Sequence, residues 1–302
     1  MRRDFLKFCG QAGLGLAMPV SWSSTLHGKT GEPGPYEAPY YVVFNASGGW
    51  DTTCLMDPKG VNGINRLYKE GDIITHGKHK FAPTANQVEK GMSNEDFYKT
   101  YGSELLVLNG LDYSINNHAP CMRYMATGKL DSLAYPTFAA LVAACRGPGT
   151  PLAFLTFGNY SATGNLVPMA RIPYLPSLKL IANADSIQGI ARNPYHDDFA
   201  QDLIEKALSE RAGAHSRDHP LLPRAERAQS MLYAAQSNSK ALKRVTPYIS
   251  DNIPKQRLAQ QAEIALSCFK GGVGVSANLS IGQFDSHANN DPDQMRLIPE
   301  FL

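Results

Sequence analysis

Apolar and polar positions along this chain follow two different patterns. In the first, short continuous apolar runs stand between loops. Tyr40-Tyr41-Val42-Val43-Phe44 is β-branched and aromatic throughout, which predicts a strand buried on both faces. Leu105-Leu106-Val107-Leu108 and Leu152-Ala153-Phe154-Leu155-Thr156-Phe157 read the same way. Between these two, Phe138, Leu141 and Val142 recur at helical spacing across Tyr135 to Cys145. After Gly271-Gly272, Val273 to Ile281 alternates small, apolar and polar residues as a further strand. Strands alternating with helices predict an α/β domain, a mostly parallel sheet flanked by helices.

The second pattern runs from about Pro194 to Phe269. Phe199, Leu203, Ala207 and Leu208 lie at helical spacing, as do Leu258, Ala262, Ala265, Leu266 and Phe269, opposite faces rich in Lys, Arg, Glu and Gln. This predicts a block of amphipathic helices, about 194–270, inserted into the α/β domain and packed on the sheet. Prolines interrupt it near Pro220–Pro223 and Pro247–Pro254. Its charges read as a solvated face.

Neither pattern covers the N-terminus. Arg2-Arg3, one further residue and Phe5-Leu6-Lys7 form the n-region of a twin-arginine export signal. The following apolar stretch, Phe8 to Trp22, is broken by Gly10, Gly13, Gly15 and Pro19. A membrane span needs about 20 apolar residues, so this suits a cleavable segment and no stable span. Residues 1–27 are therefore expected to be a signal read by the twin-arginine translocase. Residues 28–39, rich in Gly and Pro, are a linker, and 40–302 is the working domain. The expected location is the periplasm or the outside of the cell.

Composition narrows this only a little. The chain has 302 residues, is 43% hydrophobic and 19% charged, and carries a formal net charge of +2. No basic run dominates a segment, so nucleic acid is not an expected partner. Beyond the signal lie Cys54, Cys121, Cys145 and Cys268, far apart and without metal-like spacing. Folding in a reducing cytoplasm before export favours buried thiols over disulfides.

Three polar clusters follow predicted strands: Asn45 to Thr53, Asn116-Asn117-His118, and Phe284 to Asn290. Ligands of open α/β sheets bind beyond the carboxyl ends of strands, so the three clusters are expected to converge. Asp51, Asp285 and His287 offer the oxygen and imidazole donors that zinc, manganese or magnesium accept.

Gly48-Gly49-Trp50-Asp51, Asn117-His118 and Phe284-Asp285-Ser286-His287-Ala288-Asn289 together resemble domain-of-unknown-function family 1501. These are twin-arginine-exported bacterial proteins grouped with the alkaline phosphatase and sulfatase superfamily. The resemblance spans Tyr40 to Leu302 and is strongest at the two ends. In addition, His118-Ala119-Pro120-Cys121 through Thr127-Gly128 is similar to the sulfatase signature, with Pro120, Thr127 and Gly128 in register. Cys121 takes a Ser slot, Arg123 falls one place late, and His118 stands where sulfatases carry a modified Cys.

The resemblance implies an alkaline phosphatase-like fold and a divalent-metal hydrolase of phosphate or sulfate esters. Its metal would be held by Asp51, His118, Asp285 and His287. The nucleophile would be Thr52, Thr53 or a metal-bound water. His118 is then a ligand or orienting group. Relatives place further Asp and His ligands on later strands, and Pro299-Glu300-Phe301-Leu302 ends within a helical pattern without a cap. A C-terminally incomplete chain is expected. The rival expectation is a non-catalytic exported binding or assembly protein on the same fold.

Overall fold

The computed structural model describes residues 35–61, 63–83, 91–131, 135–158, 160–183, 185–186, 195–204, 206–207, 210 and 239–302. The signal, most of the linker and the middle of the helical block lie outside these residues.

Four parallel strands form the main sheet: β1 (Tyr41–Ala46), β4 (Leu152–Thr156), β5 (Met169–Ala170) and β6 (Gly274–Ile281), in the order β1-β6-β4-β5. A separate hairpin pairs β2 (Ile74–His76) with β3 (His79–Phe81). The helices are α1 (Asn94–Tyr101), α2 (His118–Thr127), α3 (Phe138–Arg146), α4 (Leu175–Ala182), α5 (Ser239–Lys243), α6 (Arg257–Lys270) and α7 (Asn290–Phe301), with a further helical stretch at 198–204. The expected α/β class, a mostly parallel sheet flanked by helices, is what the described residues form.

Helix α3 presents Ala139, Ala140, Ala143 and Ala144 to Ala153, Phe154 and Val275 of the sheet. Four small side chains in two turns let the helix axis approach the strands closely. Its entry is fixed by Thr137, whose Oγ1 accepts the Ala140 amide at 3.2 Å. A second cluster joins α4 and α6 to the sheet: Leu175, Leu178, Leu258, Ile264, Ala265, Cys268 and Phe269 pack with Leu155, Ala277 and Leu279. The i, i+3, i+4 spacing of Leu258, Gln261, Ala265, Cys268 and Phe269 gives α6 its buried stripe. A third cluster, below the carboxyl ends of β1 and β6, gathers Cys54, Leu55, Phe81, Tyr98, Phe284, Leu297 and Ile298.

Three expectations are corrected. Among the described strands β1 lies at the edge of the sheet: Val43 packs toward α3, but Val42 and Phe44 are 38% and 50% exposed. Leu105 to Leu108 forms no strand; Leu105 reaches the third cluster, while Leu106 and Leu108 stand 80% and 68% exposed. A short apolar run needs an adjacent strand to become one, and no described strand lies alongside it. In the helical block, Phe199, Leu203 and Leu266 are exposed instead of packed, whereas Leu258, Ala265 and Phe269 of α6 are buried as expected. Positions 211–238 of that block lie outside the described residues.

The last linker residues also belong to the body. The Tyr36 amide donates to the Gly272 carbonyl at 2.9 Å, and Tyr40 stacks on Phe269 with ring centroids 4.6 Å apart.

Candidate functional site

Two loops leave the carboxyl ends of adjacent strands and run against each other. Beyond β1, the Ser47 amide still donates to the Ile281 carbonyl at 2.8 Å, and the Phe284 amide donates back to the Ser47 carbonyl at 3.3 Å. Gly48 then adopts φ +114°, and a Cβ on it would lie 2.6 Å from the Asp285 nitrogen. Only glycine permits this backbone-to-backbone approach.

The first loop ends in a capped turn. Asp51 is the N-cap of the 3₁₀ turn Thr52–Cys54; its Oδ1 accepts the Thr53 amide at 3.0 Å and the Thr53 hydroxyl at 2.6 Å. Its Oδ2 accepts Asn290 Nδ2 at 3.1 Å, and its own amide donates to Gln294 Oε1 at 3.0 Å. Thr52 is exposed; Thr53 is half-buried.

The second loop carries Asp285, which faces two imidazoles. His118 Nε2 lies 3.2 Å from Asp285 Oδ2, and His287 Nε2 lies 3.0 Å from Asp285 Oδ1. His118 arrives as the first residue of α2, a helix set by Asn117, whose Oδ1 accepts the Ala119 amide. The helix ends at Gly128, in the left-handed conformation at φ +71°. All three side chains are solvent-accessible, His287 at 85% and Asp285 at 43%.

Beneath lies an apolar floor in which Trp50, Phe284 and Phe301 meet edge to face, centroids 5.5–6.5 Å apart. Asn94 of α1 ties this floor together by donating to the Cys54 and Ala82 carbonyls. Burial, followed by the nearby Asp51 charge, pushes the Cys54 thiol up to about 12, so it is not a thiolate at neutral pH.

The structure thus brings His118, Asp285 and His287 into direct contact. It places Asp51 and Thr53 on the neighbouring loop, joined to the Asp285 loop through Asn290, Gln294 and Gly48. Asn290 was expected only as the last member of the Phe284 to Asn290 cluster, and Gln294 carried no expected role. The signal that finds Gln294 is its place on the apolar stripe of α7, with Leu297 and Ile298, where an unpaired amide is out of character.

The sulfatase-like segment divides. His118 stands at the site, but Thr127 and Gly128 close the far end of α2: Thr127 Oγ1 donates to the Arg123 carbonyl at 2.7 Å and accepts the Lys129 amide at 3.0 Å.

Two imidazoles and a carboxylate form a donor set that zinc accepts. Nitrogen–oxygen separations of 3.0 and 3.2 Å come close to the edge of a tetrahedron with bonds of about 2.0–2.1 Å. The imidazoles, however, sit on opposite carboxylate oxygens and do not surround one point. Among the described residues, no group of three or more His, Cys, Asp or Glu is arranged to hold a metal ion. The donor chemistry fits a metal, and among the described residues the donors are not gathered around one point.

A mostly parallel four-stranded sheet flanked by helices, with polar loops at the carboxyl ends of β1 and β6, defines an α/β fold. No protein-family model, no curated protein and no solved structure matches this chain.

Proposed function

We propose that the chain is an exported, hydrolase-like protein acting on a phosphate or sulfate ester with the help of a divalent ion. One observation carries this reading: Asp285 holds His118 and His287 at the carboxyl ends of β1 and β6, beside the Asp51–Thr53 turn. An imidazole fixed by a carboxylate is oriented to give or take a proton, the arrangement that supports general acid–base chemistry. Thr53, donating to Asp51 across 2.6 Å, is a hydroxyl polarised toward a carboxylate and is the candidate nucleophile; the exposed Thr52 is the alternative.

Carboxylates crowd this end of the molecule: Asp51, Asp285, Asp291 and Asp293, the last accepting the Ser286 hydroxyl at 3.2 Å. Arg66 stands 3.6 Å from Asp291 and Arg296 3.8 Å from Asp293, which leaves Asp51 and Asp285 as the carboxylates that repel an anionic ester unless a cation offsets them. A zinc, manganese or magnesium ion held by His118, Asp285 and His287, with Asp51 on the adjoining loop, would neutralise that field and polarise the ester. The Arg2-Arg3 signal supports export through the twin-arginine translocase to the periplasm or beyond.

The test is metal uptake and hydrolysis by the same samples. Wild type is expected to take up zinc or manganese by elemental analysis and to cleave a nitrophenyl phosphate or sulfate. His118→Ala is expected to lower bound metal at least tenfold with its circular dichroism intact. Equal metal content in wild type and variant removes His118 from the site. No uptake and no hydrolysis by wild type favours the second reading, a non-catalytic binding or assembly protein. The exposed leucines at 106, 108 and 111 are the observation on that side.

A further inference from the structure

We infer that Gln294 is the positioning residue that sets the spacing between the Asp51 loop and the Asp285 loop. Gln294 is completely buried on α7. It lies on the same stripe as Leu297 and Ile298, and both belong to the apolar cluster that includes Trp50 and Phe284. A primary amide buried there costs free energy unless its polar atoms are paired. Leucine would fill the stripe without that cost.

The pairing has a direction. Gln294 Oε1 accepts the Asp51 amide at 3.0 Å, while Nε2 donates to the Phe284 carbonyl at 3.3 Å and to Asn290 Oδ1 at 3.2 Å. The two main-chain partners fix which end of the amide is oxygen, because one offers only N–H and the other only C=O. Asn290, one turn earlier on the same helix, donates from Nδ2 to Asp51 Oδ2 at 3.1 Å. Helix α7 therefore grips Asp51 by both its main chain and its carboxylate, and at the same time grips the residue preceding Asp285. A shift of α7 moves both loops together; loss of the amide lets each move alone.

This inference leans on the hydrolase reading only where metal affinity is concerned, and its main readout does not need that reading. The experiment compares the full chain as wild type, Gln294→Leu and Gln294→Glu by amide hydrogen exchange, with manganese titration on the same samples. Gln294→Leu is expected to speed exchange about tenfold or more in both 47–56 and 283–289, leaving β4 and α6 at wild-type rates. Gln294→Glu, compared at a pH high enough to ionise the new carboxyl, keeps an acceptor for the Asp51 amide but loses both donated hydrogen bonds. It is expected to loosen 283–289 more than 47–56, a difference that mere filling of space does not produce. Should the leucine variant fail to fold, the glutamate pattern decides.

Both loops at wild-type rates in the two variants, or a uniform rise over the whole chain, would overturn the inference. Where wild type binds manganese, Gln294→Leu is expected to weaken it about tenfold; undiminished affinity alongside loosened loops also overturns it. A wild type that takes up no ion sinks the hydrolase reading, while the exchange pattern still decides Gln294.

Discussion

Asp51 directs both carboxylate oxygens into its own neighbourhood, to Thr53 and Asn290, whereas Asp285 turns outward to two imidazoles. Both aspartates stand out in the sequence because each follows a strand, but their different surroundings depend on side chains far along the chain. The cysteines divide in a similar way. Among the described residues none is in a disulfide; Cys54 and Cys268 are buried, Cys121 is intermediate and Cys145 is exposed, so the expectation of buried thiols holds for two of these four. Burial raises the Cys54 and Cys268 thiols to about 12. A thiol-reactive dye under native conditions is therefore expected to label Cys145 first, then Cys121, with Cys54 and Cys268 reacting only after denaturant. Mass mapping of the labelled peptides checks the order, and prompt native labelling of Cys268 would contradict the packing around α6. The thiol pattern was not legible in the sequence, since burial of a cysteine depends on which helix face meets the sheet.

At the level of elements, the two loops touch at Gly48, and the neighbouring Gly49 supplies a control. Both have positive φ, +114° and +94°, but a Cβ on Gly49 would meet nothing within 4 Å. Each alanine substitution imposes backbone strain of about 1–3 kcal/mol. Gly48→Ala must also push Asp285 aside. Urea unfolding is expected to show Gly48→Ala as clearly the less stable of the pair, and only Gly48→Ala should perturb the imidazole resonances of His118 and His287. Equal effects from both would mean that the loops do not press together there. Strands β4 and β6 and helix α6 were legible because their apolar runs or stripes are long and bounded by Gly, Pro or Thr. Helix α3 was legible as a helix, but the face it buries is Ala139, Ala140, Ala143 and Ala144, and Phe138 of the expected stripe is 58% exposed. The run at Leu105–Leu108 carries the same local signal as β4. What separates them is a partner strand, and no pattern of four residues reports that. The edge position of β1 was hidden for the same reason: its composition suits a central strand. Gln294 was missed because a helix stripe is read by its apolar members, and the one polar member looks like noise until its partner Asp51, 243 residues away, is known.

Across the whole molecule, the buried ionisable groups point to one vulnerability. The Cys54 and Cys268 thiols rise from 9.0, and the Tyr98 hydroxyl from 10.0, to about 12, in each case mainly through burial. Between those ordinary values and 12 the unfolded chain has released protons that the folded chain still holds. Stability is thus intact below pH 9 and falls as pH rises, by up to about 1.4 kcal/mol per pH unit for each group. Urea midpoints are expected to be flat from pH 7 to 8.5 and to drop steeply from pH 9.5 to 11; a flat profile across that range would mean the thiols are not sealed. The strand order has a different consequence, one of timing. Tyr41 pairs with Ser276, so β1, the earliest of the described strands, has its only described neighbour in β6, more than two hundred residues later. At ribosomal speeds of about 5–20 residues per second, β1 waits on the order of 10–50 s with its apolar residues unpaired. Neither site loop has its counterpart until α7 has emerged. A nascent chain of this topology relies on whatever shields Tyr41 to Phe44 in the interval, and the long closures of β1 on β6 and β4 on β6 both slow its folding.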